Sequence, residues 1–209
     1  MSNYNELTTV NDLRSQYMGV VGTADDALLL TFIRTASDWI HKVARRHFVP
    51  RIETRYFDNI DDTDGANLIL DADLLAITTI TNGDAVAVAS GERTTIPRNN
   101  TPYHAIRLLA SSSKVWTYNS TTNDSEDAVS VLGVWGYHED YANAWETLTT
   151  SNASMTNTAT TITLLANAGY AGEIWKVESE LVYVSSIANT TATVVRAING
   201  STAVAHNTS

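Results

Sequence analysis

Residues 23–50 have the sequence TADDALLLTFIRTASDWIHKVARRHFVP, which predicts one long amphipathic helix. Thr23 and the two acids that follow it are typical of a helix N-terminus, and Pro50 prevents the helix from continuing. Apolar side chains recur at spacings of three and four, namely at Leu29, Phe32, Ile33, Ala36, Trp39, Ile40 and Val43. This spacing predicts a stripe, Trp39 included, that packs on a core.

A shorter helix is predicted on the N-terminal side of this stretch. Thr9 is followed three residues later by Asp12, the spacing of a capping residue and its reciprocal acid. Tyr17 continues the apolar spacing and Gly19 ends it. The sequence therefore predicts an N-terminal helical pair over about residues 9–47.

After Pro50 the pattern changes from helical to extended. The sequence RIETRYF at residues 51–57 alternates in the manner of a strand with one buried face. Residues 61–65 and 82–84 have the composition of turns. Further strands are predicted at residues 68–70, 74–81, 85–89, 105–109 and 128–135. Trp135 ends the last of these, and we expect it in the core.

The last third of the chain differs in composition. Residues 147–160 are almost entirely Thr, Ser, Asn and Ala, which indicates a linker or a weak strand edge. Four strand patterns follow, at residues 161–165, 173–177, 181–187 and 192–197. We therefore predict an α+β fold in which the helical pair packs on a mainly antiparallel β domain over residues 1–146. A linker at 147–160 and a small all-β module at 161–209 complete the predicted organisation.

The charge of the chain limits its functions. A formal net charge of −10 argues against a protein that grips nucleic acid, because phosphate binding needs a cationic surface. It is compatible with a wall past which DNA slides, since a negative surface repels phosphate. There are no cysteines, so disulfides and thiolate metal sites are excluded. The polar start of the chain predicts no secretory signal, and we expect no membrane-spanning segment.

Motifs that carry catalytic chemistry are missing from the sequence. It contains no phosphate-binding glycine loop, no HExxH and no GxSxG, so we expect neither an enzyme nor a cofactor. The five histidines are scattered over different predicted elements. Asp61, Asp62 and Asp64 do not satisfy the spacing of a calcium loop in any register, so no metal is predicted there. We interpret them as a solvated acidic loop and as a candidate channel or interface loop.

Positive charge is concentrated in the N-terminal quarter of the chain. Seven of the thirteen Lys and Arg residues lie between Arg14 and Arg55. The candidate interface residues are Arg34, Lys42, Arg45 and Arg46. The last three could contact a phosphate backbone, complement the C-terminal dipole of the helix, or bind an acidic neighbour.

Several motifs occur in a characteristic order. They are ARRHF at 44–48, ETRYFD at 53–58, LILDADLLAI at 68–77, TNGD at 81–84, IPRNNTPY at 96–103 and VLGVWGY at 131–137. This series resembles the head–tail connector (adaptor) family of long-tailed bacteriophages over about residues 9–145.

The C-terminal segment resembles a β module of phage structural proteins. Its marks are VESELVYV at residues 177–184 and VVRAINGSTAVAH at residues 194–206. The usual pattern has Arg-Gly where this chain has Arg196-Ala197, and Gly-Thr where it has Gly200-Ser201.

The resemblance implies a ring of about twelve identical subunits between the portal protein and a tail-completion or tail terminator protein. DNA would pass through its channel without sequence-specific binding, and the subunit would lie in the neck of the virion after assembly in the host cytoplasm. Two alternatives remain open: another phage structural role, such as decoration or tail completion, and a secreted glycan-binding β protein.

Overall fold

The structure, a computed structural model, describes residues 4–18 and 22–207 and has an α+β fold that is mainly β. Helix α1 spans Val10–Asp12 and continues as a π-helical stretch, Leu13–Met18; helix α2 spans Asp26–Ala44. The strands are β1 Arg51–Phe57, β2 Thr63–Asp64, β3 Asn67–Thr81, β4 Arg93–Ile96, β5 Tyr103–Leu108, β6 Val129–Trp135, β7 Thr161–Thr163, β8 Ile174–Val177, β9 Glu180–Ala188 and β10 Thr191–Val195. Short 3₁₀ turns lie at Ser90–Glu92, Ala110–Ser112 and Tyr141–Asn143.

The predicted cap of α1 is confirmed. The Thr9 hydroxyl accepts a hydrogen bond from the Asp12 backbone N–H at 3.0 Å. The Asp12 carboxylate in turn accepts from the Thr9 N–H. The predicted helix end at Gly19 lies outside the described residues.

The chain forms two compact units. One is Arg46–Ala144, and the other contains the described residues of Met1–Arg45 and Trp145–Ser209. This grouping differs from the predicted boundaries, because the helices belong with the C-terminal strands. The expected packing of the helical pair on the central sheet therefore stays a prediction.

A short N-terminal segment accounts for this grouping. The Tyr4 ring stacks on Tyr183 with ring centroids 4.0 Å apart. The Tyr4 N–H donates to Asn199 Oδ1 at 2.8 Å, and Asn199 Nδ2 donates back to the Tyr4 carbonyl at 3.1 Å. The Leu7 N–H donates to the Ser37 hydroxyl of α2 at 3.1 Å. The segment thus ties α2 and the C-terminal strands into one unit.

The unit at Arg46–Ala144 is built on one sheet with the strand order β1-β6-β3-β5-β4, and β2 pairs with β3. The pairings between its named strands are antiparallel. Alternate residues of β6 are buried, as a strand with one face on a core requires. The core comprises Phe57, Leu68, Leu74, Ile80, Val88, Ile106, Leu108, Trp116, Val129, Val131 and Trp135. The predicted burial of Trp135 is confirmed.

Strand β3 is longer than predicted. It runs for 15 residues and joins the two strands predicted at 68–70 and 74–81 through Asp71 and Asp73. Asp71 lies exposed on the strand, and its carboxylate pairs with Arg55 of β1 at 2.9 Å. The ion pair with Arg55 holds Asp71 in extended backbone, although aspartate is depleted in strands. By contrast, residues 85–89, predicted as a strand, contribute one isolated bridge at Ala87.

The second sheet has the order β7-β10-β9-β8. Each of its strands overlaps one of the four that the sequence predicts. Its core comprises Met155, Ile162, Leu164, Val182, Val184, Ala192 and Val194. Residues 147–160 are not a free linker: Ser151 bridges to Leu164, and Met155 bridges to His206 and is buried. The alternative of a weak strand edge fits this segment better.

Candidate assembly surfaces

The apolar stripe of α2 faces outward. The buried residues of the helix are Ile33, Ser37 and His41. Ser37 accepts a hydrogen bond from Leu7, and the Nε2 of His41 lies 3.1 Å from the Asn5 carbonyl. The N-terminal segment therefore covers the polar side of the helix. The prediction that the apolar stripe packs on a core is wrong for most of its members.

Five side chains form what we call the α2 apolar face: Leu28, Phe32, Ala36, Trp39 and Val43. All are exposed, Phe32 to 59% and Trp39 to 65%. At 3.6 residues per turn they lie within an arc of about 80°. Since an aromatic side chain can bury roughly 150–250 Å², Phe32 and Trp39 alone leave roughly 200–300 Å² of apolar surface in water. Patches of this kind mark interaction sites.

A second surface lies on the central sheet, on the side opposite its core. Strands β1 and β6 carry three cross-strand pairs on that side: Ile52 with Val134, Thr54 with Leu132, and Tyr56 with Ser130. None of these six side chains is buried, and Tyr56 is 60% exposed. We call them the open face of the central sheet. It contains no charged side chain, so it can receive another apolar element.

The predicted basic interface residues do not form one cluster. Arg34 donates to Glu6 at 2.7 Å, on the side of the helix that the N-terminal segment covers. Lys42 and Arg45 are exposed at the C-terminal end of α2, where Arg45 adopts a left-handed conformation with φ of 51°. Arg46 belongs to the other unit, 3.5 Å from Asp73 and over the ring of Tyr137. Lys42 and Arg45 are thus the basic pair beside the α2 apolar face.

The predicted acidic loop forms the connection between β1 and β3. Asp61 and Asp64 are exposed, whereas the Asp62 carboxylate accepts a hydrogen bond from the Asp58 N–H at 2.8 Å. Asp62 therefore stabilises the turn, and Asp61 and Asp64 remain at the surface. No group of three or more His, Asp or Glu residues in the described part of the chain is arranged to hold a metal ion.

Sequence reasoning missed the most buried charged group of the protein. The Glu180 side chain has no exposed surface, and both of its oxygens bind Arg196, at 2.6 Å for the Nη2–Oε2 contact. His206 is also buried, with Nε2 at 2.9 Å from Glu180 and Nδ1 at 3.0 Å from Glu178. An ionised carboxylate only accepts hydrogen bonds, so a protonated ring nitrogen of His206 donates to the carboxylate that it faces. We call Glu180, Arg196 and His206 the buried ion network.

Backbone groups complete this network. The N–H groups of Ala197 and Val204 donate to Glu180 at 3.1 and 3.3 Å. Arg196 Nη1 donates to the carbonyls of Thr156 and Ala159. Burial would raise the pKa of Glu180, but the hydrogen bonds from Arg196, His206 and the backbone outweigh burial and lower that pKa to about 2. The network thus joins β9 to the segments that contain Thr156, Ala159 and Val204.

Replacing Ala197 with glycine is expected to stabilise the protein by about 1 kcal/mol. Ala197 has φ of +54°, a conformation that glycine adopts without strain. Urea denaturation measures the change, with Ala188→Gly at the end of β9 as the control. That variant should lose up to about 1 kcal/mol, because glycine weakens a strand. Equal losses in both variants would contradict the prediction.

Comparisons of this chain with protein-family models, curated proteins and solved structures found no match. Neither of the described helices is both long and apolar enough to span a membrane. The described residues thus present an apolar helix face, an uncharged sheet face and a buried ion network.

Proposed function

We propose that this protein is a structural subunit of an oligomeric ring that joins the portal vertex of a phage head to the tail. The observation that carries the proposal is the α2 apolar face, since a stable helix that exposes Phe32 and Trp39 needs a protein partner. The order of sequence motifs over residues 9–145 supports the connector family as the context. In this proposal the chain is not an enzyme and needs no cofactor.

The proposed partners follow from the same reasoning. The subunit binds copies of itself in a closed ring of about twelve, the portal protein on one side and a tail-completion or terminator protein on the other. DNA passes through the channel without sequence-specific contacts, and the net charge of −10 favours passage over binding. The ring lies in the neck of the virion and assembles in the host cytoplasm. The packing of the helical pair on the β domain of the same chain stays a prediction.

The purified chain is expected to form closed rings and to bind a portal complex. Mass photometry gives the number of copies, and negative-stain microscopy shows whether the particles are closed. Adding purified portal should give a complex that sediments faster than either component. A chain that remains monomeric at micromolar concentration and in the presence of portal would overturn the proposal.

A further inference from the structure

We propose that the α2 apolar face of one copy packs on the open face of the central sheet of the next copy. This inference rests on the proposed function, because it names the contact that closes the ring. The two surfaces differ, so each copy offers a helix to one neighbour and a sheet to the other. Such a heterologous contact forms a ring when its rotation closes.

The two surfaces match in chemistry and length. Leu28 and Val43 are 15 residues apart, so the α2 apolar face is about 22 Å long at 1.5 Å per residue. Strand β1 has seven residues and extends for about 23 Å at 3.3 Å per residue. The helix supplies large apolar side chains, and the sheet supplies uncharged β-branched, aliphatic and tyrosine side chains. A helix on a sheet is a standard way to bury two such faces.

Charge determines the direction of the helix on the sheet. Lys42 and Arg45 lie at the C-terminal end of α2, and the loop with Asp61 and Asp64 follows the Tyr56 end of β1. Opposite charges meet if α2 of one copy runs parallel to β1 of the next. The reverse orientation would bring the acidic N-terminal end of α2, at Asp26, against the acidic loop. The complementary arrangement is therefore favoured.

A contact between two α2 helices is the main alternative. Antiparallel helices would also pair opposite charges, but the surfaces would be identical on both copies. Such a contact joins two copies about a two-fold axis and cannot propagate round a ring. It would also leave the open face of the central sheet uncovered.

Crosslinking between single-cysteine variants tests the contact directly, because the natural chain has no cysteine. Ala36→Cys is at the centre of the α2 apolar face and Thr54→Cys is at the centre of the open face; both positions are exposed. A mixture of the two proteins, treated with a short bismaleimide, should give a crosslinked dimer that contains one copy of each. In the control mixture, Lys114→Cys, at a half-exposed position in a loop, replaces Thr54→Cys. This mixture should give at least ten-fold less crosslinked dimer.

Charge reversal provides an independent test. The variant Lys42→Glu/Arg45→Glu should lower the crosslinked yield at least ten-fold, and so should Asp61→Lys/Asp64→Lys in the other component. Mixing the two charge-reversed proteins should restore the crosslinked yield to within about two-fold of the yield with the natural charges. Rescue requires the two sets of charges to face each other across copies, because a merely destabilised protein would not recover.

Each outcome has one meaning. Rings without the 36–54 crosslink would overturn this contact and leave the proposed function intact. If two copies of Ala36→Cys crosslink to each other, the helices of the two copies are in contact. If a chain that carries both Ala36→Cys and Thr54→Cys crosslinks as a monomer, the helix packs on the sheet of its own chain. Either result would overturn the inference. Strict monomers would overturn the proposed function as well.

Discussion

Replacing Glu180 with glutamine is expected to destabilise the unit that contains it by about 3–5 kcal/mol. The amide keeps the shape of the side chain but removes the negative charge, so Arg196 and His206 are left buried without it. An amide also offers one oxygen where five hydrogen bonds from these side chains and the backbone now converge on two. Urea denaturation followed by circular dichroism, with amide exchange at Val182, measures the loss.

Glu178 provides a matched control. It contacts the same histidine at 3.0 Å, but its side chain is 63% exposed. Because water screens exposed ion pairs, Glu178→Gln should cost no more than about 1 kcal/mol. A loss for Glu180→Gln that is as small as that of Glu178→Gln would show that the buried ion network does not stabilise the fold.

The same carboxylate gives the stability a defined pH dependence. The pKa of Glu180 is lowered from an ordinary 4.5 to about 2 in the folded state. Its stabilisation is therefore complete above pH 4.5 and is lost as the pH falls toward 2, because the unfolded chain binds the proton first. When the free energy of unfolding of the two proteins is measured against pH in parallel, the Glu180→Gln variant should lack this decrease at low pH.

The sequence could predict the elements that this network joins but not the network. Alternation located β9 and β10, and the resemblance pointed to the segments around residues 177–184 and 194–206. Glu180, however, lies 16 residues from Arg196 and 26 from His206. Their meeting depends on strand register and on the path of the last residues, which local patterns do not contain.

The helix shows a different limit. The helix and its apolar stripe follow from spacing, and the structure has both. The predicted cap at Thr23 is wrong, because the helix begins after Asp25 without a side-chain cap hydrogen bond, and it ends at Ala44, before Pro50. Spacing identifies an apolar face but not what covers it. Here a short polar segment hydrogen-bonds to Ser37 and approaches His41, so the opposite side of the helix is buried. The grouping of the helices with the C-terminal strands depends on the same segment, whose contacts join residues almost 200 positions apart.

Lys42, Arg45, Asp61 and Asp64 are exposed, and their assignment to an interface stays a prediction. Sequence position could not separate them from Arg46, which neighbours Arg45 but lies in the other unit and contacts Asp73. Arg45 itself adopts the left-handed conformation that ends the helix, and this conformation changes the direction of the chain before Arg46.

The substitution Phe32→Asp/Trp39→Asp is expected to abolish ring assembly and leave the subunit folded. Both side chains are more than half exposed, so their loss creates no cavity and the free energy of unfolding should change by less than about 1 kcal/mol. In an interface, large aromatic residues of this kind contribute about 2 kcal/mol or more each. The dissociation constant of the ring contact should therefore rise at least about 30-fold even if only one of them is central.

Thr31→Asp supplies the control for this prediction, since Thr31 is exposed on the same helix but outside the α2 apolar face. It adds one negative charge where the double variant adds two, so general repulsion between copies would act on both proteins. Mass photometry over a range of concentrations should show rings for the control and monomers for the double variant, with equal thermal unfolding temperatures. Assembly of the double variant at the affinity of the natural chain would mean that the exposed aromatic residues have another role. If Thr31→Asp alone abolished the rings, the contact would lie on the side of the helix that carries Thr31.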